Sequence, residues 1–325
     1  INVLIIVIIV SILIVSQAKV YTKHVFDNVS YTCNFDSTEV HVGEPITFTE
    51  TLYNGKYLPI PWIKAELTTS KYLSFSEECS AVTYSSRFVS SCYAVSGNKS
   101  VTRQWKISTT KRGVYSIENV VLSACDLLGM NETSKPIPNI SATITVLPLE
   151  VSTPEIEQHI LNVTSDFETQ HGLITDPFIV NGIREYTGKE PLNRIHWKSS
   201  AKSNDLMVVK NGYSYEPYIE VYMYIQERCE ETLAEKTLTI ACSIACKLSR
   251  SNIPIKFSSN CSASSKSAFG KEHALNIKRL CSTITLTPKT LTVKSNRNGS
   301  MIVVTPLNNK RVSFPKDTKV IFTRL

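Results

Sequence analysis

The chain has 325 residues, of which 42% are hydrophobic and 19% charged, with a formal net charge of +7. That composition belongs to folded globular units and excludes disordered, collagen-like and mucin-like classes. The length suits two compact units of roughly 150 residues each plus an anchor, and the scattered Lys and Arg do not form the basic stripe that tracks nucleic acid.

Ile1 to Val15 read INVLIIVIIVSILIV, almost without a polar group, which marks a transmembrane helix and not an amphipathic surface helix. Fifteen residues make only about 22 Å of helix against a hydrocarbon core of roughly 30 Å, so we expect residues 1–18 to be the end of a longer apolar segment. Lys19, Lys23 and His24 follow at once, and the positive-inside rule then places the body in the cytoplasm. The rival is a secretory signal peptide, because Ser16-Gln17-Ala18 has cleavage-site residues, although no basic n-region is seen. Seven N-x-S/T sequons, at Asn28, Asn98, Asn131, Asn139, Asn162, Asn260 and Asn298, lean the same way.

Residues 19–148 carry short alternating segments rich in Val, Ile, Thr and aromatics, among them VHVGEPITFTETLYN, PWIKAELTT, SVTRQWKIST, GVYSIENVVLSA and ISATITVLP. Five to seven such strands predict an all-β sandwich, with Pro45, Pro59 and Pro61 at strand starts or edges. Pro148 to about Val180 is polar and mixed and is expected to connect two domains.

In residues 149–325 the texture changes. Tyr218 to Ile225 is a buried-type strand, followed by a helix whose face is Leu233, Thr237, Ile240, Ala241, Ile244, Ala245 and Leu248. IPIKFSS, a helix at HALNIKRLCSTI, MIVVTP and TKVIFTRL complete an α/β succession with a mainly parallel sheet. Nine cysteines, an odd number without a CxxC pair, imply reduced thiols, with Cys242 and Cys246 as small buried helix residues and Cys79 facing Cys92 if a hairpin joins them.

The run GIREYTGKEPLNRIHWKSSAKSNDLMVVK, Gly182 to Lys210, resembles the signature of the bacterial domain of unknown function 58 family, with its Arg-x-Tyr, Arg-Ile-x-Trp and Ser-Ala-Arg-like steps. Here Lys202 stands for the usual Arg, and Lys189-Glu190 for a common Gly-Asp. VGEPITFTETLYNGKYLPIPWIKAEL and KRGVYSIENVVLSACDLLGM resemble the same family's β-domain. The resemblance implies a membrane hairpin, a β-sandwich and a von Willebrand factor A-like α/β domain, facing the cytoplasm and working beside a MoxR-type AAA+ ATPase. Where such domains hold Mg²⁺ through Asp-x-Ser-x-Ser, this chain has Gln226, Arg228 and Glu230, so we expect no metal there and no cofactor.

Arg184, Tyr186, Arg194, Ile195, His196, Trp197, Lys198, Ser200 and Lys202 are the candidate signature residues. They admit two uses: a structural staple, with Trp197 and Ile195 under the sheet and the arginines paired to Glu185 or Glu190, or a recognition surface with Arg and Trp anchors. The function expected is a membrane-anchored protein-binding scaffold or adaptor, contacting lipid through its helix. The alternatives are a secreted or cell-surface adhesive β-sandwich and, last, a hydrolase with His196 as base and Ser199 or Ser200 as nucleophile. No GxSxG, HExxH or P-loop motif supports catalysis.

Overall fold

The computed structural model describes residues 2–75, 80–126, 129, 131–138, 140, 142–171, 180–203, 205–211, 218–261, 263–288, 300–306 and 318–323. It divides into two compact units, Ile1–Leu149 and Glu150–Leu325.

The first unit opens with helix α1, Asn2–His24, of which Ile5–His24 is long and apolar enough to cross a membrane. It does not stop at residue 18. Its last turn carries Tyr21 and, just beyond it, Val25 into the β-domain core, so the end of the helix packs as part of the sandwich. Tyr21 Oη donates to the Pro59 carbonyl at 3.2 Å. Lys56 Nζ donates to the carbonyls of His24, at 3.0 Å, and Val25. A lysine there satisfies orphan carbonyls and faces the negative end of the helix dipole.

Twelve strands follow among the described residues: β1 (Val29–Phe35), β2 (Glu39–His41), β3 (Pro45–Asn54), β4 (Ile60–Ser70), β5 (Leu73–Phe75), β6 (Ser80–Val82), β7 (Ser86–Val95), β8 (Lys99–Thr109), β9 (Gly113–Ser116), β10 (Asn119–Cys125), β11 (Glu132–Ile137) and β12 (Thr143–Leu147). They form sandwich-like sheets in the orders β1-β3-β8-β5, β11-β10-β4-β7-β6 and β2-β12-β9, and the pairings are antiparallel except β2 with β12. The expected five to seven strands were too few. The three- and four-residue strands β2, β5, β6 and β9 are too short to show a period of two, and the run from Gly113 to Cys125 breaks into β9 and β10. Pro45 begins β3, and Pro61 sits within the register shift at the start of β4, where a lost N–H is tolerated.

Alternation buries one face of each long strand. Phe48 and Leu52 of β3 and Trp105 and Ile107 of β8 share the core with Ile63, Leu67 and Leu122 of the second sheet. Glu50 falls on the same inward parity and is fully buried, accepting hydrogen bonds from Ser91 Oγ at 2.8 Å and from Tyr93 Oη. Burial pushes the Tyr93 phenol up, so it stays a donor.

The second unit begins with helix α2, Pro154–His171, where the sequence suggested a plain connection. Thr153 Oγ1 accepts the Ile156 N–H at 3.4 Å and Pro154 takes the first helical position, an N-terminal pattern that polar composition masks. Ile156, Val163 and Phe167 are buried with Ile160 packed beside them, a stripe at helical spacing, each fully buried side chain stabilising by about 1.5–3 kcal/mol. Then come β13 (Val180–Glu185), a 3-10 turn (Leu192–Arg194), α3 (Trp197–Ser203), β14 (Met207–Asn211), β15 (Ile219–Met223), α4 (Glu231–Arg250), β16 (Ile255–Ser259), α5 (Lys271–Thr283), β17 (Met301–Pro306) and β18 (Thr318–Thr323). The last sheet has the order β16-β15-β17-β18 and is parallel throughout, as the α/β reading required. Its central strands β15 and β17 are buried nearly throughout, whereas β16 and β18 carry polar residues among the apolar ones.

Between α4 and α5 lie the buried thiols of Cys242, Cys246 and Cys281, with Cys242 and Cys246 Sγ 3.9 Å apart. Cys92 is exposed, and its suggested partner Cys79 lies outside the described residues. Nearby, Glu150 receives Arg250 through Nη1 at 2.7 Å and Nη2 at 2.5 Å, and Lys278 Nζ at 2.6 Å. The Arg250 hydrogen bonds, then Lys278, hold the Glu150 carboxyl down at about 2. Its folded value lies below the ordinary 4.5, so the stability it contributes is complete above that value and is lost as pH falls toward 2. Allowing for solvent screening, we expect about 1–2 kcal/mol from this source. Urea unfolding of the chain and of Glu150→Gln should therefore diverge at neutral pH and converge in acid; a constant gap would reject the assignment.

Candidate functional site

The signature segment forms one small structure. β13 and β14 pair antiparallel, with Arg184 opposite Val208 and Glu185 opposite Met207, and the chain between them turns back through α3. Ile195 is buried and bridges to Val208, while His196 N–H donates to the Met207 carbonyl at 2.8 Å. Tyr186, half-buried, donates its backbone N–H to the Leu206 carbonyl at 2.8 Å.

The turn after β13 is wound about one carboxylate. Glu190 accepts Thr187 Oγ1 at 2.7 Å, the Thr187 N–H at 3.1 Å and Arg184 Nη2 at 2.5 Å. The Thr187 hydroxyl first, then the Arg184 guanidinium, hold its carboxyl down at about 2. Gly188 takes the left-handed conformation at φ 83°, which this tight turn needs.

His196 serves as the cap of α3. Its Nδ1 accepts the Ser199 N–H at 3.2 Å, the third residue of the helix, as an N-cap side chain does. Ser200 Oγ accepts the Met207 N–H at 2.8 Å and donates to the His196 carbonyl at 3.1 Å. These partners are backbone groups, and Ser199 meets His196 through its backbone N–H, so the geometry brings neither serine hydroxyl to the imidazole. A base-and-nucleophile pair requires that contact.

Trp197 departs from the packed-staple expectation: it is 67% exposed. Ile195, Ser200 and the cap use up the inward positions, and the first residue of α3 then points to solvent. Leu192, five residues earlier, is 66% exposed, and Arg194, Lys198 and Lys202 are exposed with no ion pair to any described residue. The segment thus sorts by role: Arg184, Tyr186, Ile195, His196 and Ser200 fold it, while Arg194, Trp197, Lys198 and Lys202 face outward.

At the C-terminal end of β15, Gln226, Arg228 and Glu230 lie on the turn into α4, with Arg228 and Glu230 exposed. Glu230 Oε1 accepts Thr232 Oγ1 at 2.9 Å. Among the described residues no three His, Cys, Asp or Glu side chains gather as metal ligands. Asn260, named above as a sequon, is 1% exposed and joins Ile225 through both its amide oxygen, at 3.0 Å, and its amide nitrogen, at 2.6 Å. That side chain is unavailable to a glycan. Asn139 and Asn298 lie outside the described residues.

No family model matches the chain, and no curated protein matches it in sequence. Solved structures do. A non-cellulosomal cohesin from Archaeoglobus fulgidus is 18% identical, covering 40% of this chain and 97% of its own, with a TM-score of 0.26. The CARDB domain of a Pyrococcus furiosus protein, solved with di-metal ions, is 13% identical over 38% of this chain and 98% of its own, at 0.25. The Bacillus subtilis sporulation control protein Spo0M is 14% identical over 49% and 58%, at 0.22.

Proposed function

We propose that this chain is a membrane-anchored protein-binding component that presents the segment between β13 and β14 to a protein partner. The observation that carries the reading is the exposed Trp197 on a capped helix, in one segment with exposed Leu192 and with Arg194, Lys198 and Lys202, which make no ion pair to a described residue. Aromatic and Arg side chains on a preorganised support are what interface anchors are made of. α1 supplies the membrane attachment, and Lys19, Lys23 and His24 at its end favour a body on the cytoplasmic side.

Membership of the domain of unknown function 58 family, a von Willebrand factor A-like second unit and a MoxR-type AAA+ ATPase as partner remain part of this proposal. The Gly182–Lys210 motif and the parallel sheet flanked by α4 and α5 support them. Two measurements test the reading. A reporter fused to the C-terminus should be active only on the cytoplasmic side, and an extracytoplasmic signal would favour the adhesive alternative. The membrane-reconstituted chain should bind a purified MoxR-type ATPase saturably, and absence of binding would remove that partner.

A further inference from the structure

We propose that the groove between α1 and the β3–β4 loop is a binding site for an acidic phospholipid. This rests on the reading of α1 as a membrane-spanning helix. The groove has a volume of about 700 Å³, within the roughly 300–1,000 Å³ usual for small-molecule sites. Its chemistry changes along its length. Toward the N-terminus it is walled by Ile9 and Leu13, along the middle by Ser16, Gln17 and Val20, and at the other end by His24, Lys56 and Leu58.

That gradient is the gradient of a phospholipid. Ile9 and Leu13 lie at the depth of acyl chains when the Ile5–His24 span is placed across a bilayer, and His24 at its end lies at the headgroups. Lys56 spends two of its three donors on the His24 and Val25 carbonyls, which fixes its ammonium at the mouth and leaves one donor for a phosphate. Lys19 and Lys23 are exposed on the adjoining stripe of the helix, following Ile12 and Ser16 at helical spacing. The acid at this end is Asp27, whose carboxyl is held ionised by His24 first and then by Lys56 and Lys135; it offsets one positive charge, and Lys19 and Lys23 supply the excess. Tyr57 and Leu58 are exposed on the loop that closes the groove, and tyrosine at this level belongs to the aromatic belt of the membrane interface.

The test reconstitutes the full chain in phosphatidylcholine vesicles with and without phosphatidylglycerol, then reads the lipids it retains by native mass spectrometry. Wild type should retain phosphatidylglycerol in preference to phosphatidylcholine. Lys19→Gln with Lys23→Gln, both at exposed positions, should lower that preference by about twenty-fivefold, each surface lysine being worth about fivefold. Leu58→Asp should lower it further by placing a carboxylate at the mouth, with the melting transition unchanged in all variants. Equal retention of the two lipids by wild type, or a preference that survives the double substitution, would overturn the site. An alkaline carbonate wash separates the two failures: a chain that stays inserted without a lipid preference refutes only the site, and a chain that washes off refutes the membrane anchor and the site together.

Discussion

Trp197→Ala is expected to leave the stability of the chain nearly unchanged and to weaken partner binding by about thirtyfold or more. The indole is 67% exposed, so its removal deletes little buried area and opens no cavity. At an interface the same side chain is an anchor, and truncating such a residue costs about 2 kcal/mol or more, which is about thirtyfold in affinity. Thermal unfolding and titration of the proposed partner, a MoxR-type ATPase, on the same preparations check both halves. A large loss of stability would return Trp197 to the core, and a stable variant with full affinity would remove it from the interface.

Trp105→Ala is expected to do the opposite, lowering stability by about 3–5 kcal/mol while sparing the segment between β13 and β14. Trp105 on β8 is 1% exposed, stands edge-on to Phe75 at 5.8 Å, and pairs across the sheet with Phe48. Arg103 covers its ring at 5.1 Å, so the substitution also removes one of the two aromatic faces that Arg103 meets, the other being Tyr93 at 6.0 Å. For a unit of this size the melting transition of the β-domain should fall by roughly 10 °C or more. Calorimetry that showed the transition unmoved would mean the core described around Phe48 and Trp105 is not packed as stated.

The contrast between these tryptophans shows what could be read in advance. Trp105 lies in alternating SVTRQWKIST, where a period of two puts it on the face of Ile107, and the structure buries both. The stripe on α4 was legible for the same reason at the other period, because a twenty-residue helix repeats its face often enough to be seen. Even Glu50 could have been placed inward from its parity with Phe48 and Leu52. Trp197 could not be placed, since one residue at the start of a seven-residue helix has no periodicity, and its direction depends on a cap and on a strand ten residues downstream. α2 was missed because its buried residues are few among polar ones, although Thr153-Pro154-Glu155 and the Ile156 to Phe167 spacing were the signals that would have found it. The end of α1 was misplaced for a different reason. Lys56 and Pro59 hold it from beyond β3, and no local pattern reports a contact 31 residues away.

That junction has a mechanical consequence. Only four residues, Val25 to Asn28, separate the end of α1 from β1, and they are pinned on one side by Val25 in the core and on the other by the Asn28 carbonyl accepting the Gly55 N–H at 2.8 Å. A Gly/Ser tether of the same length would let a domain explore a hemisphere. Here rotation of the sandwich about its stem would have to pull Val25 and Tyr21 out of apolar surroundings and break the Lys56 clamp. The β-domain therefore stands on its helix as a fixed pedestal, and turning the helix turns the domain with it.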